Sequence, residues 1–185
     1  NMSADKYPER HKRDLLLSDR ISQGTVKDII KDIFEINFDD DEKEEIYKDW
    51  KRKPIQLFIN SYGGSVYDGL ALIDVIKRSK TPVHICIGSC MSMALWVWLS
   101  GAKRFVGESA TLMFHDVSLF AYDKTEGIKQ ELNEMIRLQE MLVSEIVGKS
   151  MIKEETLRDY ISRKAEWYIP ATEAITLKLA DKYYK

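Results

Sequence analysis

Two cysteines and four prolines among 185 residues leave little to staple this chain or to break its helices. Cys86 and Cys90 stand four apart inside an apolar run. A disulfide-built secreted domain would carry more, and a zinc site would need a second ligand pair. Both read as reduced core thiols. Neither sign of charge dominates: 28 basic and 30 acidic residues give a net charge of −2, with a pI near 6.0. That balance offers no electrostatic footprint for nucleic acid or an anionic membrane. Long apolar runs are missing too. The longest, Met91 to Leu99, is far short of the ~20 residues that span a bilayer. The opening stretch, Asn1 to Arg13, is polar and charged without the apolar core of a signal peptide, so a cytoplasmic location is expected.

What is present suits a globular protein: 44% apolar and 31% charged residues, enough to bury a real core. One domain over residues 1–185 is expected, with a polar N-terminal tail at 1–12. Neither an internal repeat nor a low-complexity tract interrupts it.

A short strand signal at Leu15–Leu17 precedes a helix capped by Ser22, with Val26, Ile29, Ile30, Ile33 and Phe34 at helical spacing. The run from Asp39 to Lys53, DDDEKEEIYKDWKRK, reads as a solvated surface excursion. A tight alternation follows: strand 54–60, a glycine turn, helix Val66–Lys80, strand 82–88, helix Met91–Ser100 and strand Thr111–Val117. Strands alternating with helices of this length predict an α/β fold with a mainly parallel sheet, and continuous apolar strands suit its two covered faces. Thr125 to Val147 is one long amphipathic helix carrying Ile128, Leu132, Met135, Leu138, Leu142 and Ile146. It suits either a core helix or an arm that packs on a neighbouring subunit. Helices at Lys153–Arg163 and Ala171–Lys178 complete the chain.

Two strand-to-helix turns carry candidate chemistry. In INSYGGSV (59–66), Gly63 and Gly64 either make a plain turn or free backbone N–H groups to hold an anion at a helix start. In ICIGSCMSMA (85–94), Ser92 stands where a strand meets a helix, at the carboxyl edge where ligands of open α/β sheets bind. It is either a raised nucleophile or an N-cap. A nucleophilic serine needs a base, and the chain has three histidines. His11 lies in the charged tail, His84 lies at the wrong end of its strand, and His115 lies at the same edge as Ser92. The N–H groups of Gly64 and Met93 would then form an oxyanion hole. Asp116 is set aside as the orienting acid, because neighbours on a strand face opposite sides. Among the other carboxylates the pattern does not choose. Gly148-Lys149-Ser150 imitates a phosphate loop, but Val143 occupies the place of its first glycine and the triplet follows a helix, so no ATP site is expected.

In order and spacing, INSYGGSVYDGLALIDVIK, ICIGSCMSMA, SGAKRF and LMFHDV resemble the proteolytic subunit of the Clp proteases, with the likeness running from about Arg13 to Asp181. The resemblance implies a crotonase-like ββα superhelix with a protruding handle helix at 125–147, which makes that helix an oligomerisation arm. It implies a serine endopeptidase that hydrolyses peptides or unfolded proteins inside rings of seven subunits, stacked to a tetradecamer. An AAA+ unfoldase would supply the ATP chemistry, and the chain itself would carry no cofactor and no metal. By the same resemblance Ser92 is the nucleophile, His115 the base, and Gly64 and Met93 the oxyanion donors. Glu166 aligns with the family's orienting aspartate, ahead of Asp159. The chain departs from the pattern in having Glu166 for aspartate, Ala94 for glycine, two tryptophans at 96 and 98, and a glycine-poor DVSLFAYDKTEG after the histidine. A non-catalytic ring subunit and a crotonase-type acyl-CoA enzyme are the alternatives.

Overall fold

The computed structural model describes residues 10–118 and 125–184. The elements run β1 (Asp14–Leu17), α1 (Gln23–Ile46), β2 (Ile55–Ser61), α2 (Val66–Arg78), β3 (Val83–Met91), α3 (Met93–Leu99) and β4 (Lys103–Phe114). Then come α4 (Thr125–Lys149), α5 (Glu154–Ser162), β5 (Trp167–Pro170), α6 (Ala171–Thr176) and β6 (Lys182–Tyr183). The strands form one sheet in the order β1-β2-β3-β4-β5, with β6 also on β4. All pairs are parallel except β4 with β5. The expected α/β class with a parallel-dominated sheet is what the chain adopts.

Parallel order sends the carboxyl ends of β2, β3 and β4 to one edge, and the core explains why those strands are apolar throughout. Ile55, Leu57, Ile59, Ile85, Ile87, Val106 and Leu112 are all buried. Each strand feeds a helix that folds back on the sheet. The seven residues of α3, MALWVWL, are buried without exception, including Trp96 and Trp98. The indole Nε1 of Trp98 donates to the Phe105 carbonyl at 3.2 Å, which lets so polar a ring edge sit in the core.

The charged run differs from expectation. Residues 39–46 are not an excursion but the last two turns of α1, which Ser22 begins with a capping box shared with Thr25. Asp39, Asp40 and Lys43 are buried there. Arg13 grips Asp40 with both guanidinium ends, at 3.0 and 2.5 Å, and the Thr81 hydroxyl donates to the same carboxylate at 2.6 Å. Asp39 pairs with Lys43 at 2.8 Å and with Arg10 at 3.1 Å. Buried carboxylates persist only where such partners replace water. Pairing with residues distant in sequence gives this stretch its place.

The stripe on α4 divides. Leu138, Leu142, Val143 and Ile146 are buried, whereas Ile128, Leu132 and Ile136 stand about half exposed on the first half of the helix. Within a single chain that half is an apolar arm.

Candidate active site

Local backbone geometry places Ser92. The β3 strand runs to Met91, three residues beyond the expected end, and Ser92 turns the chain into α3 with φ 55 and ψ −126. A non-glycine residue there is held in a sparsely populated region, at a cost of roughly 1–3 kcal/mol. Ser92 does not use its hydroxyl to cap α3. The capping alternative therefore fails, and the strained turn leaves the Oγ for another partner.

That partner is His115. Met91 and Met113 are neighbours in the β3–β4 register, and Ser92 N–H donates to the Met113 carbonyl at 3.0 Å. Two residues later the chain leaves β4, and His115 Nε2 lies 2.7 Å from Ser92 Oγ. Residues 23 apart in sequence meet because their strands are adjacent and end at the same edge. The other histidines are elsewhere. His11 pairs with Glu35 at 3.6 Å, and His84 packs edge-on against Phe105 at the opposite end of β3.

The two glycines are required by close approach. A Cβ on Gly63 would lie 2.8 Å from the Ser92 Cβ and 2.9 Å from the Met91 carbonyl oxygen. A Cβ on Gly64 would lie 2.2 Å from the Ile21 carbonyl oxygen. Both residues also hold positive φ, at 101 and 152. The neighbouring groups are taken: Ile21 N–H bonds the Gly63 carbonyl and Ser65 N–H bonds the Ile21 carbonyl, each at 2.9 Å. The Gly64 N–H has no partner among the described residues, and the Met93 N–H, in the first turn of α3, has no intrahelical acceptor. Gly64, Met93, Ser92 and His115 together line a cleft of about 90 Å³, walled by Val66, Trp96, Phe114 and Leu142.

The orienting acid is less simple. β5 pairs antiparallel with β4, Phe114 opposite Trp167 and Met113 opposite Tyr168. The pairing ends there, so His115 and Glu166 are the next residues on the two chains, each one step beyond the register. The Glu166 carboxylate nevertheless accepts the Tyr168 hydroxyl, at 2.7 Å, and no described contact joins it to His115. Asp159 is engaged by Arg163 at 2.5 Å. Asp116 was set aside on strand alternation, but the strand ends at Phe114, so alternation does not govern it. Its Oδ1 lies 3.9 Å from His115 Nδ1, beyond hydrogen-bonding range yet near enough for a charge to be felt.

Sequence reasoning missed β5, although WYIP carries the aromatic and branched residues of a strand. It also missed Gln139 on α4, whose amide oxygen accepts the Val117 N–H at 2.6 Å from the segment that follows β4. The thiols are free and buried as expected. Burial pushes Cys86 up to about 11 and raises Cys90 as well, which keeps both protonated. The glycine-poor stretch after His115 lies partly outside the described residues, as do residues 1–9 of the N-terminal tail.

The comparisons with known proteins bear on the same stretch of chain. The model of the Clp protease family matches residues 9–185. This chain belongs to the Clp protease family. It is 29% identical over 177 residues to the ATP-dependent Clp protease proteolytic subunit 1 of Prochlorococcus marinus strain MIT 9312, covering 91% of this chain and 82% of that one. It is 31% identical over 163 residues to proteolytic subunit 2 of Prochlorococcus marinus strain MIT 9313, covering 83% and 76%. Proteolytic subunit 2 of Synechococcus sp. strain CC9605 is 28% identical over 177 residues, covering 91% and 81%. That family is a protease family, and the identities mark a divergent member. No helix among the described residues is long and apolar enough to cross a membrane.

Proposed function

We propose that this Clp protease relative is a serine endopeptidase acting on peptides or unfolded protein, with Ser92 as nucleophile and His115 as general base. The observation that carries this reading is the 2.7 Å contact between Ser92 Oγ and His115 Nε2, beside two glycine- and helix-derived N–H groups. His115 Nε2 takes the hydroxyl proton as Oγ attacks the substrate carbonyl. The carbonyl oxygen gathers negative charge where the Gly64 and Met93 N–H groups can donate to it. The imidazolium returns the proton to the leaving amine, and a water, activated by the same nitrogen, hydrolyses the ester.

Glu166 is the acid we assign to the Nδ1–H, from its place in the family pattern and because it directly precedes Trp167, the partner of the Phe114 that directly precedes His115. Its side chain must then turn from the Tyr168 hydroxyl toward the ring. Asp116, 3.9 Å from Nδ1, is a second acid for the same task. Glu166→Gln is expected to lower kcat on the order of 10²-fold or more, and Asp116→Asn much less. The reverse order in peptide hydrolysis would move the role to Asp116.

The exposed row Ile128, Leu132 and Ile136 supports assembly of identical subunits through α4. We assign the chain to rings, of seven subunits and stacked in pairs by analogy with its family, fed by a separate AAA+ unfoldase. The relatives' names, ATP-dependent and proteolytic subunit, support that division of labour.

Hydrolysis of a short fluorogenic peptide tests the proposal. The wild type should turn it over, and Ser92→Ala or His115→Ala should lose roughly 10⁶-fold. An assembled wild type no faster than either variant would make the chain a non-catalytic subunit.

A further inference from the structure

The base His115 stands on a segment that the sheet no longer holds. β4 ends at Phe114, and Asp116–Ser118 make no backbone–backbone hydrogen bond among the described residues. Among the described residues the imidazole has one hydrogen bond, to Ser92, and its Nδ1 is 3.9 Å from the carboxylate of Asp116. The ring's place over Ser92 therefore depends on what fixes the path of residues 115–118.

Among the described residues, one side-chain hydrogen bond does so, beside the packing of Val117 on the core. The Val117 N–H donates to Gln139 Oε1 at 2.6 Å. Gln139 is only 8% exposed, on the part of α4 where Leu138 and Leu142 enter the core. A short bond from an N–H on the cleft wall to an amide oxygen of a buried side chain ties that wall to α4, and the buried oxygen has little water to replace the bond. Val117 and Ser118 also wall the cleft together with Leu142 of α4. The amide thus ties one side of the cleft, and the residue two positions before it, to the arm helix.

We infer that Gln139 is a positioning residue for His115: its amide oxygen, through Val117 N–H, sets the imidazole over the Ser92 hydroxyl. This rests on the Ser92–His115 reading. Among the described residues no hydrogen bond joins Gln139 to Ser92 or His115, so it acts through the segment that carries Val117. Its Nε2 has no hydrogen-bond partner among the described residues, so only the oxygen is asked to do the positioning.

Three variants test it. Gln139→Leu and Gln139→Met fill similar space without an acceptor, and Gln139→Glu keeps the oxygen. The readouts are the rate of fluorophosphonate acylation at Ser92, the kcat and KM for a short peptide, the assembly state, and the His115 imidazole ¹⁵N resonances, assigned with His115→Asn. The apolar variants should acylate roughly 10- to 100-fold more slowly, the loss falling on kcat, because a displacement of about 1 Å in a reacting group can cost 10²-fold. Gln139→Glu should stay within a few-fold of wild type. In the apolar variants the His115 resonances should move toward those of a free imidazole while assembly persists. Acylation and His115 resonances unchanged by the loss of the oxygen would overturn the inference, as would Gln139→Glu being as slow as Gln139→Leu. If the wild type itself is not acylated, the hydrolase reading fails and the catalytic role of Gln139 falls with it. The imidazole resonances would still report separately whether the amide holds the ring.

Discussion

Ser92 owes its reach to a backbone that most residues avoid, and Gly63 makes room for it. Gly63→Ala would push a methyl group to within 2.8 Å of the Ser92 Cβ at a φ of 101. It is expected to abolish acylation of Ser92 while leaving a folded chain, which circular dichroism and probe labelling together would check. Labelling at the wild-type rate would show that the turn tolerates the methyl group. A second residue-scale expectation concerns His84. Burial first, and the nearby Lys103 charge second, hold its imidazole below the usual value. A base depressed in the fold is protonated first in the unfolded chain, so its contribution is complete above about pH 6.5 and is lost as pH falls further. Between pH 7.5 and 5.5 the wild type should lose more of its urea midpoint than His84→Gln, and equal losses would contradict the assignment. Ser92 and His115 were legible as a pair because each stands where an apolar strand gives way, at the same edge. The orienting acid was not, because it depends on where β4 stops. Alternation argued against Asp116 only on the premise of a strand that in fact ends at Phe114.

The helix α1 carries the clearest case of a pattern that sequence alone misreads. A run of aspartates, lysines and glutamates looks solvated because Arg13 and Thr81, which meet its buried Asp40, lie 27 and 41 positions away. Removing one member of such a buried set leaves an uncompensated charge. Asp40→Ala is expected to destabilise the fold by about 3–5 kcal/mol in urea unfolding, since it removes the buried carboxylate that both ends of the Arg13 guanidinium grip. A loss below about 1 kcal/mol would return the segment to the surface reading. The strand–helix alternation from β2 to α3 was legible because apolar runs and glycine breaks are local signals. β5 was not, since four residues between two helices acquire strand character only by pairing with β4.

At the scale of the whole molecule, the arm decides whether a single chain is the working unit. The stripe on α4 was visible in the sequence, but its division into a buried half and an exposed half appears only when the helix is docked. Leu132→Glu with Ile136→Glu changes side chains that are about half exposed, so the chain should still fold, and the proposed assembly through α4 should be lost in native mass spectrometry. Retained assembly would place the subunit contacts elsewhere. The site itself hangs on one contact, and that contact predicts reactivity directly. Mass spectrometry of the assembled protein after treatment with a fluorophosphonate, followed by digestion, locates the adduct. The account predicts a single phosphonyl group on Ser92 in the wild type, and none in His115→Ala over the same interval. An unmodified Ser92 in the wild type, or equal modification without the imidazole, would contradict it.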